Sequence, residues 1–401
     1  MIDRRTSSRR DARGSGSGLL RGLAVAPAVA ALGWIGASAL FIPHKLRLPP
    51  ALPGDQRDMD GIAGRLSYYT AGPAAGDAAA KRAGETLPPL LLIHSINAAA
   101  SAYEVKPIYE RAMRERTVYA LELPGFGFSE RSPRDYTPRL MTDAIHTMID
   151  EIRRIHGDGP IDALALSLSS EFLARAAVEA PGEFRSIALV SPTGLDSRGP
   201  YYGAPESNRG MPVLYGAFSF PVWGRAVFDL LNTRVSARYY LEKTWGSKAI
   251  DEGLWDYCYL TSHQPGAEHA PFYFVGGYLF SKDITRVYEQ LRVPVLMTHG
   301  VRGDFTDFSY ARILKSRPNW TMKVYPTGAF PQFEVADEFF RTHREFWSGL
   351  AESHAAISDA GEARETGETG EARAPAGEAG RTGERGGDGA AKSPGEAGAT
   401  A

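Results

Sequence analysis

The sequence has a single cysteine, Cys258, among its 401 residues. An intrachain disulfide is therefore excluded, and so is a metal site built from several thiolates. An excess of charge of either sign is also missing, because 45 basic and 47 acidic residues give a formal net charge of −2. We therefore expect no nucleic acid as a partner, and we predict neither a cofactor nor a metal ion.

Charged side chains are absent from residues 22–42, which follow a basic stretch at residues 1–21 and end near the small residues Ala37-Ser38-Ala39. One interpretation is a cleaved export signal. Another is an uncleaved membrane anchor, since ~20 apolar residues suffice to span a bilayer. Both predict a protein that is exported or held at a membrane through its N-terminus. A disordered basic tail is the third interpretation.

Large apolar side chains are nearly absent from residues 355–401, which consist mainly of Gly, Ala, Glu, Arg and Thr. Such a segment cannot bury enough surface to offset the entropy lost on ordering, so we predict that it is disordered.

Residues 60–350 alternate between short apolar runs and helical patterns. This alternation predicts an α/β fold with a doubly wound, mostly parallel sheet. Residues 192–283 break it, because they are rich in aromatic residues and contain no clear buried strand. We expect this insertion to form a helical cap above the carboxyl ends of the strands, where open α/β sheets bind ligands.

Within the core, an apolar strand at residues 161–166 runs directly into Ser167, and an amphipathic helix follows. The string Ala165-Leu166-Ser167-Leu168-Ser169 is similar to the Gly-x-Ser-x-Gly nucleophile elbow, with both glycines replaced by small residues. The alternative is that Ser167 is simply the N-cap of the helix, a position that favours serine.

Two further motifs accompany the elbow. His94-Ser95 follows a buried strand, as a His-Gly oxyanion turn does, and the run from Glu122 to Ser129 is similar to Asp-x-Pro-Gly-x-Gly-x-Ser. With these motifs in this order, residues 65–350 resemble the α/β-hydrolase superfamily, in the branch that carries a helical cap.

The resemblance implies roles for individual residues. Ser167 would be the nucleophile, and Leu168 together with Ser95 or Ile96 would donate N–H groups to an oxyanion. Asp304 would be the acid that orients the base. Asp307 remains an alternative for that acid.

The base is missing from its expected place. The superfamily pattern Gly-His-x-x-x-x-Glu is met here by Gly328, Ala329 and Glu334, so alanine occupies the histidine position. A serine hydroxyl without a base is a weak nucleophile.

Substitute bases are His263 and His269 in the cap and His299 at the end of a strand. Ligation of a metal by His263, Glu268 and His269 has no recognised spacing. His343, on the last helix, is expected at the surface.

These observations predict a serine hydrolase that acts on a small or medium apolar ester. The alternative is a catalytically inactive protein of the same fold that binds an apolar ligand, because Ala329 replaces the histidine.

Overall fold

A computed structural model describes residues 16–73, 87–305 and 307–350, with side chains from residue 29 onward. The C-terminal segment predicted to be disordered and residues 1–15 lie outside this range. Eight strands form one sheet in the order β1-β2-β4-β3-β5-β6-β7-β8. Their bounds are β1 Asp55–Gly61, β2 Gly64–Ala71, β3 Leu90–Ile93, β4 Val118–Glu122, β5 Ile161–Leu166, β6 Phe184–Val190, β7 Val295–His299 and β8 Trp320–Val324. Strand β2 pairs antiparallel with β1 and β4, and every other pairing is parallel. The predicted fold class is confirmed.

Helices cover both faces of the sheet because side chains alternate along each strand. In β3, Leu91 and Ile93 pack with the helices on one face, whereas Leu90 and Leu92 pack with those on the other. The core helices are α2 Lys106–Ala112, α3 Pro138–His156 and α4 Ser169–Glu179, and residues 336–350 form the last helix. The central strands are buried on both faces, which explains their continuous apolar runs.

The insertion between β6 and β7 is helical. Its helices are α5 Pro212–Phe218, α6 Gly224–Leu231, α7 Arg234–Trp245, α8 Glu252–Ser262 and α9 His269–Val275, and α10 Ile284–Gln290 leads back to the core. A bridge between Asn208 and Ser281 joins the two ends of the insertion. We call residues 192–283 the cap.

The N-terminal helix α1, Gly16–Phe41, packs against α6 of the cap. The indole N–H of Trp34 donates to the Ala226 carbonyl at 2.7 Å, and the Ser38 hydroxyl donates to the buried carboxylate of Asp229 at 2.5 Å. His44 contacts the same carboxylate at 3.0 Å. Within the described residues, no helix has the length and apolar character needed to cross a membrane.

Some local features differ from what the sequence predicts. The sequence does not predict strand β1, because its polar residues pair along the edge of the sheet and bury little. After β3, the chain forms a 3₁₀ turn at Ala102–Val105 and continues as α2, which has Pro107 in its first turn. His343 is not at the surface: it is completely buried, with its ring stacked on Phe339.

Candidate active site

Ser167 occupies a sharp turn between β5 and α4. Its φ is +51°, a left-handed conformation that costs a residue with a Cβ about 1–2 kcal/mol. Its N–H donates to the Val190 carbonyl at 2.8 Å, which ties the turn to β6. The hydroxyl is half-buried and has no hydrogen-bond partner in the described part of the chain. The N-cap interpretation is wrong, because Leu168 holds that position and the Ser167 hydroxyl accepts no helical N–H.

Two backbone N–H groups at this end of the sheet have no acceptor among the described residues. Strands β3 and β5 are adjacent, with Ile93 paired to Ala165, so the residues that follow them meet at the same edge of the sheet. Leu168 and Ile96 are both buried, and no acceptor for either N–H exists among the described residues. Buried N–H groups without a partner are rare in proteins. Donors of this kind are what an oxyanion hole requires.

Ser95, the other predicted donor, is already engaged. Its N–H donates to the carboxylate of Glu104 at 2.7 Å. Of the two alternatives from the sequence, Ile96 is the remaining candidate for the second donor, because the Ser95 N–H cannot serve an oxyanion while Glu104 accepts it.

His94 supports residues 94–96, which we call the oxyanion turn. The Leu123 N–H donates to its Nε2 at 3.1 Å, so the ring carries its proton on Nδ1, 2.6 Å from the Ser95 carbonyl. Burial lowers the pKa of His94 to about 4. The ring is therefore neutral at pH 7 and acts as a bridge between two loops.

Two buried carboxyl groups lie beneath this end of the sheet. Burial raises the pKa of Glu104 and of Glu122 to about 7. Glu122 stands where the superfamily motif has Asp, and it accepts hydrogen bonds from the N–H groups of Phe128 and Ala102. Gly127, at φ +51°, lies so close to the Glu122 carboxyl that a Cβ could not be accommodated. Glu122 therefore holds the glycine turn in place.

The predicted acids do not meet a histidine. Asp304 has 56% of its side chain exposed and lies 3.6 Å from the Lys243 ammonium. Asp307 is also exposed, and it accepts the N–H groups of Ser197 and Ser309 at 2.9 and 3.1 Å. Hydrogen bonds from the side chain and backbone of Ser197, and then of Ser309, hold the pKa of Asp307 below its ordinary value. Neither carboxylate orients an imidazole in this arrangement.

The backbone N–H and carbonyl of Ala329 are both hydrogen-bonded. Its N–H donates to the Thr244 carbonyl at 2.9 Å, and its carbonyl accepts from the Ser191 hydroxyl at 2.8 Å. Glu334 accepts the Gly328 N–H at 2.6 Å and pairs with Arg302. The loop at the expected histidine position is thus hydrogen-bonded to the cap and to Ser191, which directly follows β6.

The substitute bases lie elsewhere. His263 is buried in the cap with Nδ1 2.7 Å from the Tyr259 carbonyl, and His299 stacks on Phe308 with Nδ1 2.9 Å from the Gly300 carbonyl. His269 lines a cavity of about 460 Å³ that Ser167 does not border. None of the three hydrogen-bonds to Ser167. Burial lowers the pKa of His263 and His299. No group of three metal-binding side chains is arranged to hold an ion in the part of the chain described.

Sequence reasoning overlooked two residues that contact the oxyanion turn. The Ser169 hydroxyl donates to the His94 carbonyl at 2.6 Å, and Glu104 accepts from Ser95. The position of Ser169 in the elbow could have drawn attention to it. No motif in the sequence around Glu104 indicates a role for that residue.

Comparison with known proteins agrees with the fold. A family model described as the alpha/beta hydrolase fold matches residues 88–212. No curated protein matches this sequence. Among solved structures, a serine hydrolase involved in carbazole degradation is 16% identical, with a TM-score of 0.56 over 74% of this chain and 99% of that chain.

Two other neighbours are similar to a comparable degree. An esterase from Thermogutta terrifontis is 15% identical, with a TM-score of 0.54 over 74% of this chain and 99% of that chain. A membrane phospholipase A is 17% identical, with a TM-score of 0.53 over 83% of this chain and 97% of that chain. At such identities the likeness concerns the fold. The family match over residues 88–212, the sheet order and these neighbours agree that this chain has the α/β-hydrolase fold.

Proposed function

We propose that this protein is a serine hydrolase with Ser167 as its nucleophile. The observation that carries the proposal is the strained Ser167, whose hydroxyl has no partner in the described part of the chain, together with two buried N–H groups that lack acceptors there. Strained backbone conformations persist where the surrounding structure enforces them, and they cluster at functional sites.

In this reaction the Ser167 Oγ forms a bond to the carbonyl carbon of an ester. The carbonyl oxygen becomes an oxyanion that accepts the N–H groups of Leu168 and Ile96. The serine proton passes to water, because no imidazole of the described residues hydrogen-bonds to the hydroxyl. The alkoxide takes up that proton and leaves as the alcohol. A second water then attacks the acyl carbon, which releases the acid and returns a proton to the Ser167 Oγ. A triad enzyme that loses one member retains roughly 10³–10⁴-fold catalysis over water, so we expect slow turnover.

A small or medium apolar ester is the substrate class that the surroundings favour. Both oxyanion donors belong to residues with apolar side chains, Leu168 and Ile96, and both side chains are buried. The cap supplies many aromatic side chains, which are common in pockets for apolar ligands. The neighbours named as an esterase and a phospholipase act, by those names, on ester bonds.

A catalytically inactive ligand-binding protein is the second candidate. It is favoured by Ala329 at the histidine position and by Asp304, which pairs with Lys243 and contacts no imidazole. Fold alone cannot decide between the two functions.

Labelling with a fluorophosphonate separates them. We expect the full chain to be labelled on one residue, and the Ser167→Ala variant to remain unlabelled. An intact wild-type protein that resists labelling but binds a fluorescent fatty acid would refute the hydrolase and support the binding protein.

We also propose that α1 associates with a lipid membrane. Trp34 and Ser38 hold one face of this helix on the cap. The opposite face carries Val29, Leu32 and Leu40, which are 62%, 67% and 77% exposed.

The charge around α1 supports an anionic lipid surface as the partner. No acidic residue occurs in residues 12–54, whereas Lys45 and Arg47 are exposed just after the helix. Cleavage after Ala39 would remove both Trp34 and Ser38. The contacts of these two residues with the cap therefore favour a retained segment over a cleaved signal.

Sedimentation with vesicles tests this association. The full chain should bind vesicles that contain phosphatidylglycerol, and Leu32→Asn with Leu40→Asn should weaken binding. Ile62→Asn, at a similarly exposed apolar residue of the β1–β2 hairpin, is the matched control and should have no effect. Equal binding by all three proteins would contradict the role of α1.

A further inference from the structure

We infer that Ser169 and Glu104 are positioning residues that orient the oxyanion turn, so that the Ile96 N–H is presented to the reacting carbonyl. This inference rests on the proposed hydrolase function. It assigns a role to the serine that replaces the second glycine of the elbow and to a carboxylate outside every recognised motif.

The peptide unit between His94 and Ser95 is held at both ends. Its carbonyl accepts the Ser169 hydroxyl at 2.6 Å, and its N–H donates to Glu104 Oε2 at 2.7 Å. A trans peptide is planar, with its carbonyl and N–H pointing in opposite directions. Two such bonds on opposite edges therefore prevent this plane from rotating.

The next peptide unit, between Ser95 and Ile96, is fixed through its carbonyl alone. That carbonyl accepts Nδ1–H of His94 at 2.6 Å. Because the unit is planar, the Ile96 N–H points away from the imidazole, and it has no acceptor among the described residues. Of the four polar groups in these two planes, the Ile96 N–H is the one left for a ligand.

The Ser169 hydroxyl joins the two halves of the oxyanion hole. Ser169 is the first residue of α4 and directly follows Leu168, which carries the other donor. Its bond to the His94 carbonyl therefore sets the distance between the two donors. A glycine here could not make this bond. The neighbouring Ser170 differs, because its hydroxyl donates to Ala165 at 3.3 Å within the elbow's own segment.

Glu104 is anchored independently of Ser169. Its Oε1 accepts the Asn97 side-chain amide at 2.8 Å, and the same amide lies 3.1 Å from the Ser95 hydroxyl. Its backbone carbonyl accepts the Gln332 side chain at 3.2 Å. Glu104 and Gln332 are both almost completely buried. The carboxylate is thus fixed from two sides and can hold the Ser95 N–H in one direction.

The test measures phosphonylation of Ser167 in the full chain, with the rate constant of inactivation separated from the inhibitor constant. Loss of an entire oxyanion donor lowers the chemical rate about 10²–10³-fold. We expect a misaligned donor to lower it less, by about tenfold, in Ser169→Ala and in Ser169→Gly. The inhibitor constant should change little, because binding of the probe before reaction does not need the oxyanion hole.

Matched variants distinguish misalignment of the Ile96 N–H from a general loss of packing around it. Ser170→Ala removes a neighbouring buried hydroxyl and should react at the wild-type rate. Ser169→Thr keeps a hydroxyl and should recover most of the rate. Glu104→Gln preserves shape but cannot accept from both Ser95 and Asn97, so it should also slow the reaction. In the double variant that combines Ser169→Ala with Glu104→Gln, the rate should fall by less than the product of the two single effects, because both residues hold the same peptide plane.

Each outcome has a distinct meaning. A wild-type protein that does not react refutes the hydrolase function and this inference with it. A reactive wild type with an unchanged rate in Ser169→Ala refutes the inference alone. Equal slowing by Ser170→Ala, or a larger inhibitor constant with an unchanged chemical rate, also refutes it. If Ser169→Ala fails to fold, judged by circular dichroism, the Glu104→Gln rate decides in the same way.

Discussion

The strain at Ser167 makes a quantitative prediction about stability. We compare Ser167→Gly with Ser167→Ala, because both variants lack the hydroxyl and differ only in the Cβ. At φ +51° the Cβ costs about 1–2 kcal/mol in the folded chain. Glycine gives the unfolded chain more freedom, which costs about 0.4–1 kcal/mol. We therefore expect the glycine variant to be more stable by about 1 kcal/mol.

Urea unfolding followed by tryptophan fluorescence measures this difference as a shift in midpoint at constant slope. The wild type and Ser167→Ala should have nearly equal stability, since the hydroxyl makes no hydrogen bond. Ser191, at φ +48°, is an internal comparison. Its hydroxyl bonds to the Ala329 carbonyl, so Ser191→Ala should lose about 1 kcal/mol. An alanine variant at position 167 that matches or exceeds the glycine variant would refute the claim that this turn is strained.

The remaining predictions concern buried charges. Burial raises the pKa of Glu104 and Glu122 from 4.5 to about 7, so the folded chain holds these protons more tightly than the unfolded chain. Their contribution to stability is complete below about pH 4.5 and is lost as the pH rises through 7, by roughly 3 kcal/mol for each group. Urea unfolding at pH 5 and pH 8 should show this fall, and Glu122→Gln should reduce it; a variant with the wild-type pH dependence would contradict the assignment. Arg175 binds the buried Asp283 at 2.6 Å, so Arg175→Met should cost about 3–5 kcal/mol. Arg57→Met, in an exposed pair, should leave the unfolding midpoint unchanged, and equal effects of the two variants would show that burial of the pair does not matter.

The core sheet could be predicted from the sequence because its central strands are buried on both faces. The run Leu90–Ile93 is completely buried, and only a continuous apolar segment can occupy such a place. Strand β1 could not be predicted in this way. Its residues are mostly polar and exposed, and pairing with β2 through the backbone makes it a strand. The pattern of side chains in β1 does not predict that pairing.

His343 shows a signal that was available but not used. It lies four residues after Phe339 and four before Trp347, so the three residues share one face of a helix. Both aromatic residues are buried, and the histidine is buried with them. The spacing could have predicted this. The bond from Ser95 to Glu104 could not be predicted, because it depends on how the 3₁₀ turn at Ala102–Val105 folds back onto the oxyanion turn.

The two halves of the candidate active site have diverged differently. The half after β3 and β5 retains a strained serine and two free donors. In the half after β7 and β8, the backbone is bonded to the end of α7 in the cap. Asp304 N–H donates to the Lys243 carbonyl at 3.2 Å, and Ala329 N–H donates to the Thr244 carbonyl at 2.9 Å.

The replacement of histidine by Ala329 is therefore one part of a wider change. A histidine at this position would still lack an orienting acid, because Asp304 is exposed and lies beside Lys243. Without that acid, neither the tautomer nor the direction of the imidazole would be fixed. Close packing adds a second obstacle, because Ala329 is only 8% exposed and a larger side chain there would need new space. Recovery of a triad would require the acid loop to release its contact with the cap, so substitution at position 329 alone is not sufficient.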